Sequence, residues 1–112
     1  MQIAERVVDG VTILDLNGKI TLGEGDEALR DRISHLLQQG NKKILLNLES
    51  VPYIDSAGLG EVVRTYTTVS RQGGQLKLVN LTKRITDLLM ITKLLTVFET
   101  FDTESDALKS YS

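Results

Sequence analysis

The sequence predicts an α/β domain: a mixed β-sheet, opened by an N-terminal hairpin and continued by β-α alternation, packed against about four helices. Three observations predict it. Two short β-type runs flank Asp9-Gly10, a pair that supplies the positive φ of a two-residue hairpin turn. Ile44-Leu45-Leu46-Asn47-Leu48 is a near-continuous apolar run of strand length, as expected of a strand covered on both faces. From Leu59 onward the apolar residues, Val62, Val63, Tyr66 and Val69, switch to helical spacing.

Taken in order, the hairpin strands run from Ile3 to Val8 and from Val11 to Leu16, and Asn17-Gly18 ends the second. The two glycines of Lys19-Ile20-Thr21-Leu22-Gly23-Glu24-Gly25 argue for a loop, either a plain connector or part of a functional surface. Asp26 is a suitable N-cap for a first helix that carries Leu29, Ile33, Leu36 and Leu37 on one face and closes at Gly40-Asn41. After the Ile44–Leu48 strand, Pro52 marks a loop. A second helix is expected from Ala57 to Arg71, stopped by Gly73-Gly74. Gln75 to Val79 reads as a strand. Thr82 caps a short helix with Ile85, Leu88 and Leu89 inward, and a last strand is expected around Val97-Phe98-Glu99. Thr103 caps a final helix through Leu108. The order β-β-α-β-α-β-α-β-α implies a mainly parallel sheet with one antiparallel strand. Residues 1–112 read as a single domain, with no repeat and no linker.

Composition removes several classes of function. There is no cysteine, so disulfides and thiolate metal sites are excluded, and a reducing, cytoplasmic setting is expected. The lone histidine, His35, projects away from the apolar face of its helix and reads as a solvated surface residue. A formal net charge of −2 and an aromatic content of 4% give no footing for nucleic acid or for anionic membrane surfaces. No apolar run approaches the roughly 20 residues of a membrane span, and the N-terminus lacks a signal-peptide pattern. No metal or cofactor is called for.

Attention therefore falls on Asp55-Ser56, where a buried strand hands over to a helix. There a hydroxyl meets unpaired N–H groups and the positive end of the helix dipole. Both residues are good caps and could do nothing more than start the helix. Two details point further. Gly58 and Gly60 lie in the first helical turns, where each costs roughly 1 kcal/mol relative to Ala, an expense that suits close approach of a backbone or a partner. Gly60 also shares a face with Ser56, continued by Arg64, Thr67 and Arg71, while Leu59, Val62 and Tyr66 point elsewhere. Ser56 should open onto solvent beside a bare patch.

A nucleophilic serine is disfavoured: Ile54 stands where the hydrolase elbow has glycine, and His35 is the only histidine to act as base. The phosphate-loop spacing is absent, and Gly58-Leu59-Gly60 lacks the third glycine of the dinucleotide fingerprint. Phosphorylation of Ser56 fits the physics best. The helix N-terminus stabilises the added charge locally, while the same charge disrupts a closely packed docking contact.

Asp55-Ser56-Ala57-Gly58-Leu59-Gly60, set between an apolar strand and an amphipathic helix, resembles the anti-sigma factor antagonists, small STAS-domain proteins of bacteria. The resemblance extends over nearly the whole chain, through Asn17-Gly18-Lys19-Ile20, Gln72-Gly73-Gly74-Gln75-Leu76 and Thr92-Lys93-Leu94-Leu95-Thr96-Val97-Phe98. It implies a STAS-like mixed sheet and a non-enzymatic binding protein. Ser56 would be phosphorylated by a partner that is both anti-sigma factor and serine kinase, and a serine phosphatase would reset it. The surface expected to meet the partner takes in Thr21, Asp55, Ser56, Ala57, Gly58, Gly60 and Arg64. Many family members carry Gly-x-Leu-Asp after the second strand; here Gly18-Lys19-Ile20-Thr21 replaces the carboxylate with a hydroxyl, either a plain loop threonine or a second modification site. A scaffold or transport-associated STAS module and a small nucleotide-binding domain are the alternative readings. Met90 and Ile91 lie off the inner face of their helix; they are expected to turn into the core, the other reading being an exposed apolar contact.

Overall fold

The computed structural model describes residues 1–111. Its elements are β1 (Gln2–Val8), β2 (Val11–Asn17), α1 (Asp26–Gln38), β3 (Lys43–Ser50), α2 (Ser56–Arg71), β4 (Gln75–Val79), α3 (Lys83–Ile91), β5 (Thr100–Phe101) and α4 (Glu104–Lys109). The strands form one sheet in the order β1-β2-β3-β4-β5. β1 and β2 are antiparallel, with Val8 opposite Val11, and the remaining neighbours are parallel. At the hairpin tip Asp9 and Gly10 both hold positive φ, 54° and 79°, which matches the turn to the twist of the flanking strands.

Alternation along the strands divides the interior in two. Leu14, Leu16, Ile44, Leu46, Leu48, Leu76 and Leu78 point to the side covered by α1, α2 and α3, where Leu29, Ile33, Leu36, Leu59, Val62, Ile85 and Leu89 meet them. Val11, Ile13, Leu45 and Val79 point to the opposite side, beneath Ala107 and Tyr111 of the C-terminal segment. The buried Tyr111 hydroxyl donates to the Ile44 carbonyl at 2.5 Å. Each fully buried Leu or Ile contributes roughly 1.5–3 kcal/mol, so β2 and β3, lined on both faces, anchor the sheet.

Three expectations need correction. Asp26 is not the cap of α1 but its first residue; Gly25 occupies the cap position with φ 93°. The Asp26 carboxylate instead accepts from the N–H groups of Gly23 and Glu27, at 3.1 and 2.8 Å, which ties it to the preceding loop. The last strand is not at Val97-Phe98-Glu99. Val97 closes a turn on the Leu94 carbonyl, and Phe98 turns its ring into the core, edge-on to Tyr66 at 5.1 Å. Pairing with β4 begins only where the Glu99 carbonyl accepts from Leu78, so the strand is Thr100–Phe101. Met90 and Ile91 do not turn into the core: α3 continues through them, and they stay 58% and 80% exposed. Leu94, Leu95 and Phe98 pack there instead. Two caps agree with expectation, Thr82 accepting from Ile85 and Thr103 from Asp106, both at 3.2 Å.

On the α4 side, Arg6 of β1 grips two carboxylates. It donates to Asp15 at 2.7 and 3.1 Å and to Glu104 at 3.1 and 2.5 Å. These hydrogen bonds hold both carboxyls below their ordinary values of 3.8 and 4.5. A carboxyl depressed in the folded state stabilises the fold above its ordinary value and stops doing so as pH falls through its folded value. The three side chains are 32–40% exposed, so solvent screening limits the whole cluster to about 1 kcal/mol. Urea denaturation at pH 7 is expected to show Arg6→Gln less stable than the wild type by that amount. As pH falls below the ordinary carboxyl values and on through the depressed folded ones, the gap should narrow towards zero; a gap that stays constant with pH would exclude the ion pairs as its source.

Candidate functional site

The site is assembled at the carboxyl ends of the parallel strands, the crevice where open α/β sheets present their loops. The segments leaving β2 and β3 run side by side. Gly18 donates to the Ser50 carbonyl, Ile20 to that of Tyr53, and Asp55 to that of Ile20, at 3.1, 3.1 and 3.3 Å. This short ladder brings the Lys19–Gly25 loop onto the first turn of α2. The loop is therefore part of the site's framework rather than a free connector.

Asp55 does two jobs. One carboxylate oxygen accepts from the Gly58 N–H at 2.7 Å and caps α2; the other accepts from the Leu22 N–H at 3.2 Å and fixes the loop. Ser56 is the first residue of α2 and is exposed. Its hydroxyl makes no hydrogen bond among the described residues. Ala57 beside it is half-buried.

The two early glycines have different physical roles. Gly58 is buried, and a Cβ there would lie 1.8 Å from the Ile20 carbonyl oxygen. It is the close approach of one backbone to another and offers no surface to a partner, which corrects its place in the expected contact set. A Cβ on Gly60 would meet nothing within 4 Å, so the bare patch beside Ser56 belongs to Gly60 alone. Arg64 is exposed on the same side of the helix. Thr21 is half-buried in a tight turn; its N–H and carbonyl both pair with Glu24, at 2.7 and 3.0 Å, and its hydroxyl faces the Glu24 carbonyl at 3.4 Å. His35 is exposed on α1.

Sequence reasoning missed the neighbour of Ser56. A groove of about 700 Å³ opens beside it, between the segment entering α2 and helix α3. Tyr53, Ile54, Leu88 and Ile91 give it an apolar lining, to which Lys83, Arg84 and Asp87 add charge, Lys83 being paired with Asp87 at 3.2 Å; no histidine lines it. The Arg84 guanidinium lies 5.4 Å from the centre of the Tyr53 ring, a cation–π contact. Glu61, buried on α2 and bound to Arg64 and Arg30, was missed as well. The Arg64 spacing of i+3 was the only signal for it in the sequence. Among the described residues no group of three or more His, Cys, Asp or Glu could hold a metal ion, and no helix is long and apolar enough to cross a membrane.

A five-stranded mixed sheet with three helices on one face, and an exposed serine at the mouth of the second, is the architecture of the STAS domain. The chain belongs to that family, whose model matches residues 2–107. Among its relatives are anti-sigma factor antagonists. A Thermotoga neapolitana protein named as an anti-sigma factor antagonist homologue is 34% identical over 93% of this chain and 92% of its own length. The anti-sigma-B factor antagonist of Bacillus subtilis is 44% identical over 59% of this chain and 60% of its own. The crystal structure of an anti-sigma factor antagonist from Thermotoga maritima, 30% identical, superposes with a TM-score of 0.88 over 96% of this chain and 92% of that one.

Proposed function

We propose that this protein is a phosphorylation-switched antagonist of an anti-sigma factor. In the unphosphorylated state it binds an anti-sigma factor that is also a serine kinase and so frees the sigma factor. Phosphate on Ser56 ends the binding, and a serine phosphatase restores it. The observation that carries this reading is the pairing of an exposed, unengaged Ser56 hydroxyl with an adjoining apolar groove. A kinase can reach the hydroxyl, and a partner can bury Tyr53, Leu88 and Ile91. Met90 and Ile91, both exposed, extend the apolar surface.

The phosphate adds about −1.5 to −2 charges and must be desolvated if the contact is to close over it. The Ser56 and Ala57 N–H groups at the start of α2 have no acceptor among the described residues, so the dianion can be accommodated with the fold intact. The same change that is harmless to the free protein is costly in the complex. Incubation with ATP and a lysate of the source cell, followed by mass spectrometry, tests the reading. Phosphate at Ser56 and at no other residue is expected; an unmodified Ser56 would favour a non-switching scaffold.

One observation favours a second reading, nucleotide binding: the groove falls within the size range of small-molecule sites and carries Lys83 and Arg84. A bound nucleotide would raise the melting temperature by mass action, so no shift with millimolar ATP or GTP would remove it.

A further inference from the structure

Glu61 is a carboxylate only 2% exposed, on a helix whose other inward positions are mostly apolar. Its Oε1 accepts from two guanidinium groups, Arg64 at 2.9 Å and Arg30 of α1 at 3.4 Å. Its Oε2 is buried with no hydrogen-bond partner among the described residues. Burying a charge is tolerated only when it is paired, and an unpaired oxygen adds a further cost. Folding alone gains little from such an arrangement, since a buried ion pair is often no better than an apolar replacement.

What the arrangement does achieve is to hold two cations together. One carboxylate shared by two guanidiniums leaves a local excess of one positive charge. Both arginine side chains keep solvent access, 63% for Arg64 and 47% for Arg30. Neither has another carboxylate within ion-pair distance among the described residues. They stand over a depression of about 150 Å³ between α1 and α2, with Ser34 and Thr68 also on its wall. Arg71 carries positive charge further along the same side of α2, in a chain whose net charge is −2. Guanidinium groups suit carboxylates in particular, because their planar donors match the two oxygens.

We propose that Arg30 and Arg64, gathered by Glu61, form a cationic fork that receives an acidic side chain of the protein partner, with Glu61 as the positioning residue. The inference rests on the reading that the outer side of α2 meets a partner. It adds Arg30 and the positioning Glu61 to a surface already expected to hold Arg64, and states the chemistry of the segment that docks there.

The test is a titration of ¹⁵N-labelled full-length protein with hexaglutamate, following the arginine Nε–H signals; inorganic phosphate and hexalysine serve as separate arms. Hexaglutamate is expected to shift the Arg30 and Arg64 signals saturably. Arg30→Ala and Arg64→Ala should each weaken binding about fivefold, the factor equivalent to about 1 kcal/mol, and Arg71→Ala less than twofold. Glu61→Gln should leave a cooperative melt while the Arg30 and Arg64 signals acquire the relaxation of free side chains and lose their preference over Arg71. If that variant does not fold, the two alanine variants carry the test. Shifts spread evenly over all basic residues, no shift, or a response of the pair to inorganic phosphate alone would overturn the proposal. The titration needs neither a kinase nor phosphate on Ser56, so failure here leaves the switch standing, and a silent Ser56 leaves the fork standing.

Discussion

Gly58→Ala is expected to destabilise the protein by about 3 kcal/mol or more, the upper end of what overpacking costs. A domain of this size has only about 5–15 kcal/mol to lose. The new methyl would sit 1.8 Å from the Ile20 carbonyl oxygen and 2.5 Å from its carbon. Both obstacles are backbone, so neither can rotate away. Relief requires moving the Lys19–Gly25 loop, which breaks the Asp55 N–H bond to Ile20 and the Leu22 bond to Asp55. Gly60→Ala is the internal control. Its Cβ meets nothing, so the residue should gain the helix propensity of alanine, about 1 kcal/mol. Thermal denaturation of the two variants should thus move in opposite directions from the wild type. A Gly58→Ala protein that melts like the wild type would show that the loop is not seated on α2.

Ser56→Asp is expected to weaken binding to the proposed kinase partner by at least about thirtyfold, equivalent to about 2 kcal/mol, because the added charge must give up its water when the contact closes over it. Ser56→Ala should bind as the wild type does and take no phosphate. The loss cannot be attributed to unfolding. An aspartate in the first turn of α2 interacts favourably with the helix dipole, by about 0.3–1 kcal/mol, so the melting temperature should hold or rise. Calorimetric titration beside a thermal melt separates the two effects. Equal affinity of wild type and Ser56→Asp would remove the switch.

What the sequence revealed follows from how local each signal is. Asp9-Gly10 dictates its turn from within, Ile44–Leu48 advertises its burial by composition, and Thr82 and Thr103 each cap a helix that begins one residue later. The position of Ser56 at a strand-to-helix junction was legible for the same reason. The unreadable features depend on distant partners. β5 is two residues long and exists only because Leu78 and Val79 lie alongside it. Asp26 fails as a cap because Gly25 takes that position and the carboxylate turns to the Gly23 N–H. The burial of Gly58 is decided by Ile20, that of Glu61 by the approach of α1, and the groove by where α3 comes to rest. None of these separations leaves a periodic trace in the chain.

The borders of the sheet have a consequence for reversibility. On one side β1 carries Glu5 and Arg6 in its middle; on the other β5 ends after two residues. Neither margin offers a long uncharged row of peptide groups, so an incoming chain finds little to zip onto. A contact made by side chains on the helical flank, by contrast, can come apart without any backbone ladder being torn. A protein so edged resists pairing with further copies of itself along the sheet.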